Sequence, residues 1–308
     1  MQHYRLNPEV IEARLTAFER HAELFSDGHF AARAAALDAV QQVYQLLQLN
    51  RRDARWGAYL RTLTQQAKAL ERRLRAADAE FFQTLRQRIR SGAHTASSLR
   101  HLFDGHTRYR PGRLGQIHRG YDALDALIQG LLCAAQAPEP LQVLERDMVH
   151  YEPTPARVIL DLVDQVPWTA HDVFYDLGAG LGHVAILVHL LTGVVATGVE
   201  IEAAYSRHAQ GCAEALGLSQ VHFVNSDARD MHYANGTVFF MYTPFTGAVL
   251  DTVLAALARE ARHRPLTVCT HGACTHDVAQ QPWLQLRDPI ANQAYALAVF
   301  ESKSIKHL

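Results

Sequence analysis

The chain has 308 residues, about two domains' worth, and 48% of them are apolar, enough to bury real cores. With 30 basic and 31 acidic residues and a formal charge of −1, it is not the charged, apolar-poor chain that stays disordered, and on average it is no polycation built for nucleic acid or membrane surfaces. The charge is nevertheless split: residues 1–150 carry 21 basic and 16 acidic side chains, the remainder 9 and 15, and 51–119 alone 16 and 5.

The opening run Met1-Gln2-His3-Tyr4-Arg5-Leu6-Asn7-Pro8-Glu9 has charges where a secretion signal needs an apolar core. Asn7 is a helix N-cap, Pro8 the first helical residue and Glu9 a first-turn acid, followed by Val10, Leu15 and Phe18. A second helix is predicted over 30–49, with Leu37, Val40, Tyr44 and Leu47 on one face. A third starts near Asp53. Its Leu60, Leu63, Ala67, Leu70, Leu74, Ala77 and Phe81 step by threes and fours, continue to Leu85 and Ile89, and stop at Gly92, a C′ glycine. Such a seam serves a helix inside a bundle or a coiled coil that dimerises the chain. Between 101 and 121 the texture changes to Gly, Arg, Tyr and His, which is loop chemistry. Another helix ends near Ala135, and Gln136-Ala137-Pro138-Glu139-Pro140 reads as a linker between an all-helical domain, 1–140, and a second domain, 141–308.

Beyond Thr154 a helix over 155–166 leads into short β-branched runs alternating with helices. Strands are predicted at 173–175, 194–199, 221–224, 237–241, 266–270 and 296–300. This alternation implies an α/β domain with a mainly parallel, doubly wound sheet. The runs 283–287 and 295–300 have no helix between them and read as a closing antiparallel hairpin. The longest apolar run, 184–199, is interrupted by His189 and Gly193 and is short for a bilayer span. A soluble cytoplasmic protein with reduced thiols is expected, since the four cysteines form no CxxC pair.

The run Val173-Phe174-Tyr175-Asp176-Leu177-Gly178-Ala179-Gly180-Leu181-Gly182-His183 takes a strand into a glycine turn that opens a helix. Ligands bind at the carboxyl ends of such strands, where glycines admit them to the backbone. The spacing is G-x-G-x-G, and His183 stands where the third glycine of a dinucleotide fingerprint belongs. Asp176 suits a ligand bearing a cation better than one bearing a pyrophosphate. Glu200, at the end of the next strand, is placed to take ribose hydroxyls, and Asn225-Ser226-Asp227 after the third strand could reach an adenine edge.

In this order Asp176, Gly178, Gly180, Gly182, Glu200 and Asp227 resemble the class I S-adenosylmethionine-dependent methyltransferases, over about 149–308. The resemblance implies a seven-stranded sheet with an antiparallel last strand and S-adenosyl-L-methionine as cofactor. By that pattern the glycine turn lies under the methionine and ribose, Glu200 holds the ribose and Asp227 the adenine amino group. Tyr151-Glu152-Pro153-Thr154-Pro155 is similar to the cofactor-covering loop of Dot1-type lysine methyltransferases, which implies cofactor contacts for Tyr151 and Thr154. After the fourth strand the chain departs from that group: Met241-Tyr242-Thr243-Pro244-Phe245 stands where Dot1-type proteins have paired Asn and Phe.

That segment either lines the acceptor pocket or forms a tight turn with two packed aromatics. Tyr151 and Tyr242 are the candidates beside the transferred methyl, with His271 as a third and Thr243 beside the cofactor. His150 is either a base near the cofactor or a surface residue. Cys269, His271, Cys274 and His276 have the composition of a metal set, but their spacings match no zinc frame and no metal is expected. No G-x-S-x-G elbow, Walker loop or HExxH occurs. The acceptor is expected to be a protein, with lysine the candidate side chain, or a small molecule. The alternatives are RNA gripped by the basic helical domain and a non-catalytic cofactor-binding protein. The helical domain, with its 105–121 segment, is expected to cap the acceptor mouth or to form a homodimer.

Overall fold

The structure, a computed structural model, describes residues 7–49, 57–106, 121–132, 137–287 and 296–303. By packing, the chain divides into two units, Met1–Leu85 and Arg86–Leu308.

In the first unit α1 (Pro8–Arg20) starts where the Asn7 side chain accepts from the Val10 N–H at 3.4 Å. It packs with α2 (Phe30–Leu49) and with α3 (Gly57–Arg90), which enters the second unit at Arg86. The seam residues Leu60, Leu63, Ala67, Leu70 and Leu74 are buried against Ile11, Leu15, Val40, Val43 and Leu47 of the same chain. The seam is therefore used inside a bundle here. α3 ends in a Schellman motif: Gly92 takes φ +71°, its N–H reaches the Ile89 carbonyl, and the Ala93 N–H reaches that of Arg88.

In the second unit, α4 (Ala96–Asp104), α5 (Ala123–Leu131) and α6 (Ala156–Gln165) precede the sheet. The sequence groups α4 and α5 with the helical domain, yet both pack here. α5 is tied to α6 by Asp125, whose Oδ1 accepts the Ala156 N–H at 2.7 Å and so caps α6 from another helix. The sheet runs β1 (Val173–Leu177), α7 (His183–Thr192), β2 (Val195–Glu200), α8 (Ala203–Ala215), β3 (Val221–Asn225), β4 (Val238–Tyr242), α9 (Gly247–Glu260), β5 (Thr267–His271), α10 (Cys274–Ala279), β6 (Leu284–Leu286) and β7 (Ala298–Ser302). The strand order is β3-β2-β1-β4-β5-β7-β6. β1 to β5 pair in parallel, whereas β7 is antiparallel to both β5 and β6, which is the hairpin read from the missing crossover helix. The strand order reverses beside β1, so a crevice opens at the carboxyl ends of β1, β2 and β4. Among the described residues no helix is long and apolar enough to cross a membrane.

Candidate active site

The crevice holds a cavity of about 220 Å³, room for a ligand of nucleoside size. Residues 137–155 cross it as a strap. One end is pinned by Glu202, whose Oε2 accepts the N–H groups of Leu141 (2.7 Å) and Gln142 (2.8 Å). The middle is pinned at the end of β4. There Met148 bridges to Phe245, the Val149 N–H reaches the Pro244 carbonyl, and the Thr246 N–H reaches that of Asp147.

The glycine turn forms the floor. Gly178 has φ +81°, and a Cβ there would stand 2.2 Å from Pro244 Cβ. Gly180 has φ +52° and lies under the Tyr151 ring, whose nearest carbon would be 2.3 Å from a Cβ. Neither Gly180 nor Gly182 lines the cavity, where the turn contributes Gly178 and Ala179. Gly182 starts α7 against Phe223 and Ala209, so its part is helix–sheet approach.

Asp176 is 3% exposed, and its Oδ2 faces no protein partner. Burial, then the neighbouring Glu200, pushes its pKa up to about 8. An orphaned carboxylate in this wall fits a cationic ligand group, and the ammonium of an amino-acid moiety supplies one. Because the folded pKa is raised from an unfolded value of about 3.9, Asp176 costs the fold stability as pH rises toward 8. Asp176→Asn is therefore expected to melt higher than the parent at pH 8.5 and alike at pH 4, while losing at least tenfold in donor affinity. Melting curves at both pH values, with calorimetric titration of the donor, check this, and equal affinity would remove Asp176 from the site.

Glu200 is 8% exposed and spends one oxygen on each of two backbone donors: Gly180 N–H at 2.7 Å and Glu202 N–H at 2.8 Å. Each oxygen keeps a second lone pair for a ribose hydroxyl. Burial raises its pKa, against the pull of those N–H donors. Glu202 also caps α8 through Oε1 and Ala204 N–H, and its backbone donors hold its pKa below the ordinary value despite the opposing effect of burial. Asp227 lines the cavity, but its carboxylate is engaged by Arg229 through the backbone N–H (2.8 Å), Nε (3.0 Å) and Nη2 (2.7 Å), which lowers its pKa. Arg229 also reaches Glu145 on the strap at 3.0 Å. Ser226 and Ala228 share that wall.

Tyr151, Thr154, Tyr242 and Thr243 all line the cavity, as does His150. The Tyr151 ring packs at 5.3 Å from Tyr205, and its hydroxyl lies 3.4 Å from His183 Nδ1. Thr243 is held at φ +41°, with its hydroxyl donating to the His271 carbonyl and accepting the Cys274 N–H. His271 is not brought to the cavity. It is 1% exposed, its ring sits 4.8 Å from that of Tyr242, and burial pushes its pKa down to about 4. Cys269 and Cys274 are buried, and no group of three His, Cys, Asp or Glu side chains converges among the described residues. The 105–121 segment falls almost wholly outside the described residues. Sequence reasoning missed Glu202, Tyr205 and the strap's Met148. It noted His183 only for its place in the motif. The readable signal for Glu202 was an acid directly before a helix.

Residues 147–241 match the family model described as histone methylation protein DOT1. No curated protein matches the chain. Among solved structures, an RNA methyltransferase of Salinibacter ruber in complex with S-adenosyl-L-homocysteine is 22% identical, covering 49% of this chain and 92% of its own at a TM-score of 0.39. An S-adenosylmethionine-dependent methyltransferase of Aquifex aeolicus is 15% identical over 48% of this chain and 93% of its own, with the same TM-score of 0.39. The DOT1 match takes in the strap from residue 147 onward, the glycine turn, Glu200 and Asp227, and Gly178, Ala179, Glu200 and Asp227 line the cavity. Over residues 147–241 the chain is thus similar to the DOT1 family, and its seven-stranded sheet, ordered β3-β2-β1-β4-β5-β7-β6, carries that Dot1-like segment at the cleft.

Proposed function

We propose that the chain methylates an amine, the side chain of a lysine in a protein. The carrying observation is the charge of the cleft. Among the described residues its lining includes Glu152, Asp176, Glu200, Glu202 and Asp227 and no Lys or Arg. Such a wall attracts cations and repels a polyanion at the point of reaction. S-adenosylmethionine, when bound, supplies a methyl group already activated on a sulfonium. Asp176 fits its ammonium and Glu200 its ribose. The strap excludes water, and the rings of Tyr151 and Tyr242 wall the space where an alkylamine would lie in line with the methyl. The DOT1 match supports a protein acceptor.

The test is transfer of tritiated methyl from the donor to poly-L-lysine, mixed cellular protein and total RNA in parallel. Label is expected in the first two as methylated lysine. Label confined to RNA would overturn the proposal and favour a role for the exposed Arg61, Lys68 and Arg72 of α3.

A further inference from the structure

The small second cavity adjoins the cleft. Thr154 and His183 line both, so His183 belongs to the wall between them. Its imidazole is 6% exposed and makes two different kinds of contact. Nδ1 lies 3.4 Å from the Tyr151 hydroxyl, while Nε2 is buried without a protein partner. The small cavity has room for one water, about 10 Å³. Tyr121, also in its lining, is 45% exposed, and its hydroxyl donates to the Pro153 carbonyl at 2.8 Å beside Glu152. A hydroxyl at the reaction cleft, an imidazole behind it, space for a water and a surface tyrosine therefore follow one another toward solvent.

We propose that Tyr151 and His183 are a proton exit for the acceptor. This rests on the amine reading above, because an alkylammonium must shed one proton before its nitrogen lone pair can attack a methyl. The acceptor N–H bond breaks as its proton passes to Tyr151 Oη. The Tyr151 O–H proton passes to His183 Nδ1, and the Nε2–H proton leaves to water in the small cavity. Tyr151 ends as it began, the imidazole ends as its other tautomer, and one proton has left the cleft. A half-turn of the ring about Cβ–Cγ between turnovers brings the Nδ1–H round to the small cavity, where water takes that proton and returns one to Nε2, so the starting tautomer is restored with no proton given back to the cleft. His183 suits a relay more than a resting store of charge: burial, then His208, pushes its pKa down to about 4, so it is neutral between turnovers. The titratable groups around it are Tyr151, His208, Tyr121, Asp125 and Asp176.

The experiment compares the full wild-type chain with His183→Gln and Tyr151→Phe. Glutamine keeps a polar donor in the imidazole's place but cannot pass a proton through itself. Phenylalanine keeps the ring over Gly180 and removes only the hydroxyl. Donor affinity is read by calorimetry, methyl transfer to poly-L-lysine from pH 6.5 to 9.5, and the His183 tautomer by nitrogen NMR. The expected result is donor affinity within threefold of wild type in both variants and kcat at least 100-fold lower at pH 7. Their rates should climb about tenfold per pH unit toward the free lysine value near 10.4, over a range where wild type is flatter. In wild type the imidazole should carry its proton on Nε2. A His183→Gln kcat within threefold of wild type, or a loss explained by weaker donor binding, would overturn the relay alone. A wild type that binds donor and leaves poly-L-lysine unlabelled would sink the amine reading and the relay with it.

Discussion

Gly178→Ala is expected to destabilise the chain by about 2–4 kcal/mol and to weaken donor binding at least 100-fold. The backbone there sits at φ +81°, and the new methyl would lie 2.2 Å from Pro244 Cβ, far inside contact distance. Pro244 cannot give way cheaply, because its carbonyl holds Val149 of the strap and its ring follows the constrained Thr243. The turn and the end of β4 must therefore separate, which opens the cleft from beneath. Gly193 supplies the control. It has nearly the same dihedral, φ +78°, but a methyl there would meet nothing within 4 Å. Gly193→Ala should cost about 1 kcal/mol and leave donor affinity unchanged. Thermal melts and donor titrations on both variants decide the matter. Equal effects at the two positions would mean that dihedral strain, and not the approach of Pro244, is what Gly178 avoids.

Glu200→Ala is expected to raise the donor Kd at least 100-fold and to destabilise the apo fold as well. Two buried N–H groups, those of Gly180 and Glu202, lose their acceptor, at about 1–3 kcal/mol each. Glutamine is not a mild replacement. Both carboxylate oxygens accept from backbone, so whichever way the amide is turned its NH2 confronts an N–H. Glu200→Gln should therefore lose at least tenfold in donor affinity, as read by calorimetry. Unchanged affinity in both variants would refute the ribose site.

The parts of this molecule legible in the sequence are those fixed by local pattern. Strand–helix alternation gave the parallel sheet, the missing crossover after Trp283 gave the antiparallel edge, and Asn7 and Gly92 marked real helix ends. Asp176, Gly178 and Glu200 could be placed because a strand end fixes which way the chain faces. What stayed hidden depends on partners distant in the chain. The Glu202 bond to Leu141 spans 61 residues, and nothing near either end announces it. Arg229 lies only two residues from Asp227, but sequence offers no way to rank it against a ligand's amino group. His271 occupies the promised strand end. It pairs in register with Tyr242, however, so the two rings pack at a tilt, 4.8 Å apart, and the tyrosine is the one that reaches the cavity.

The join between β2 and α8 is two residues long, Ile201 and Glu202. In that space Glu200 holds the glycine turn, and Glu202 holds both the helix start and the strap. Surface joins usually absorb insertions and deletions. This one cannot, because adding or removing a residue would rotate one carboxylate away from its donors. Length variation among descendants of this chain is therefore expected to collect elsewhere, for instance between β6 and β7, while the β2–α8 join keeps its length even as the side chain at Ile201 drifts.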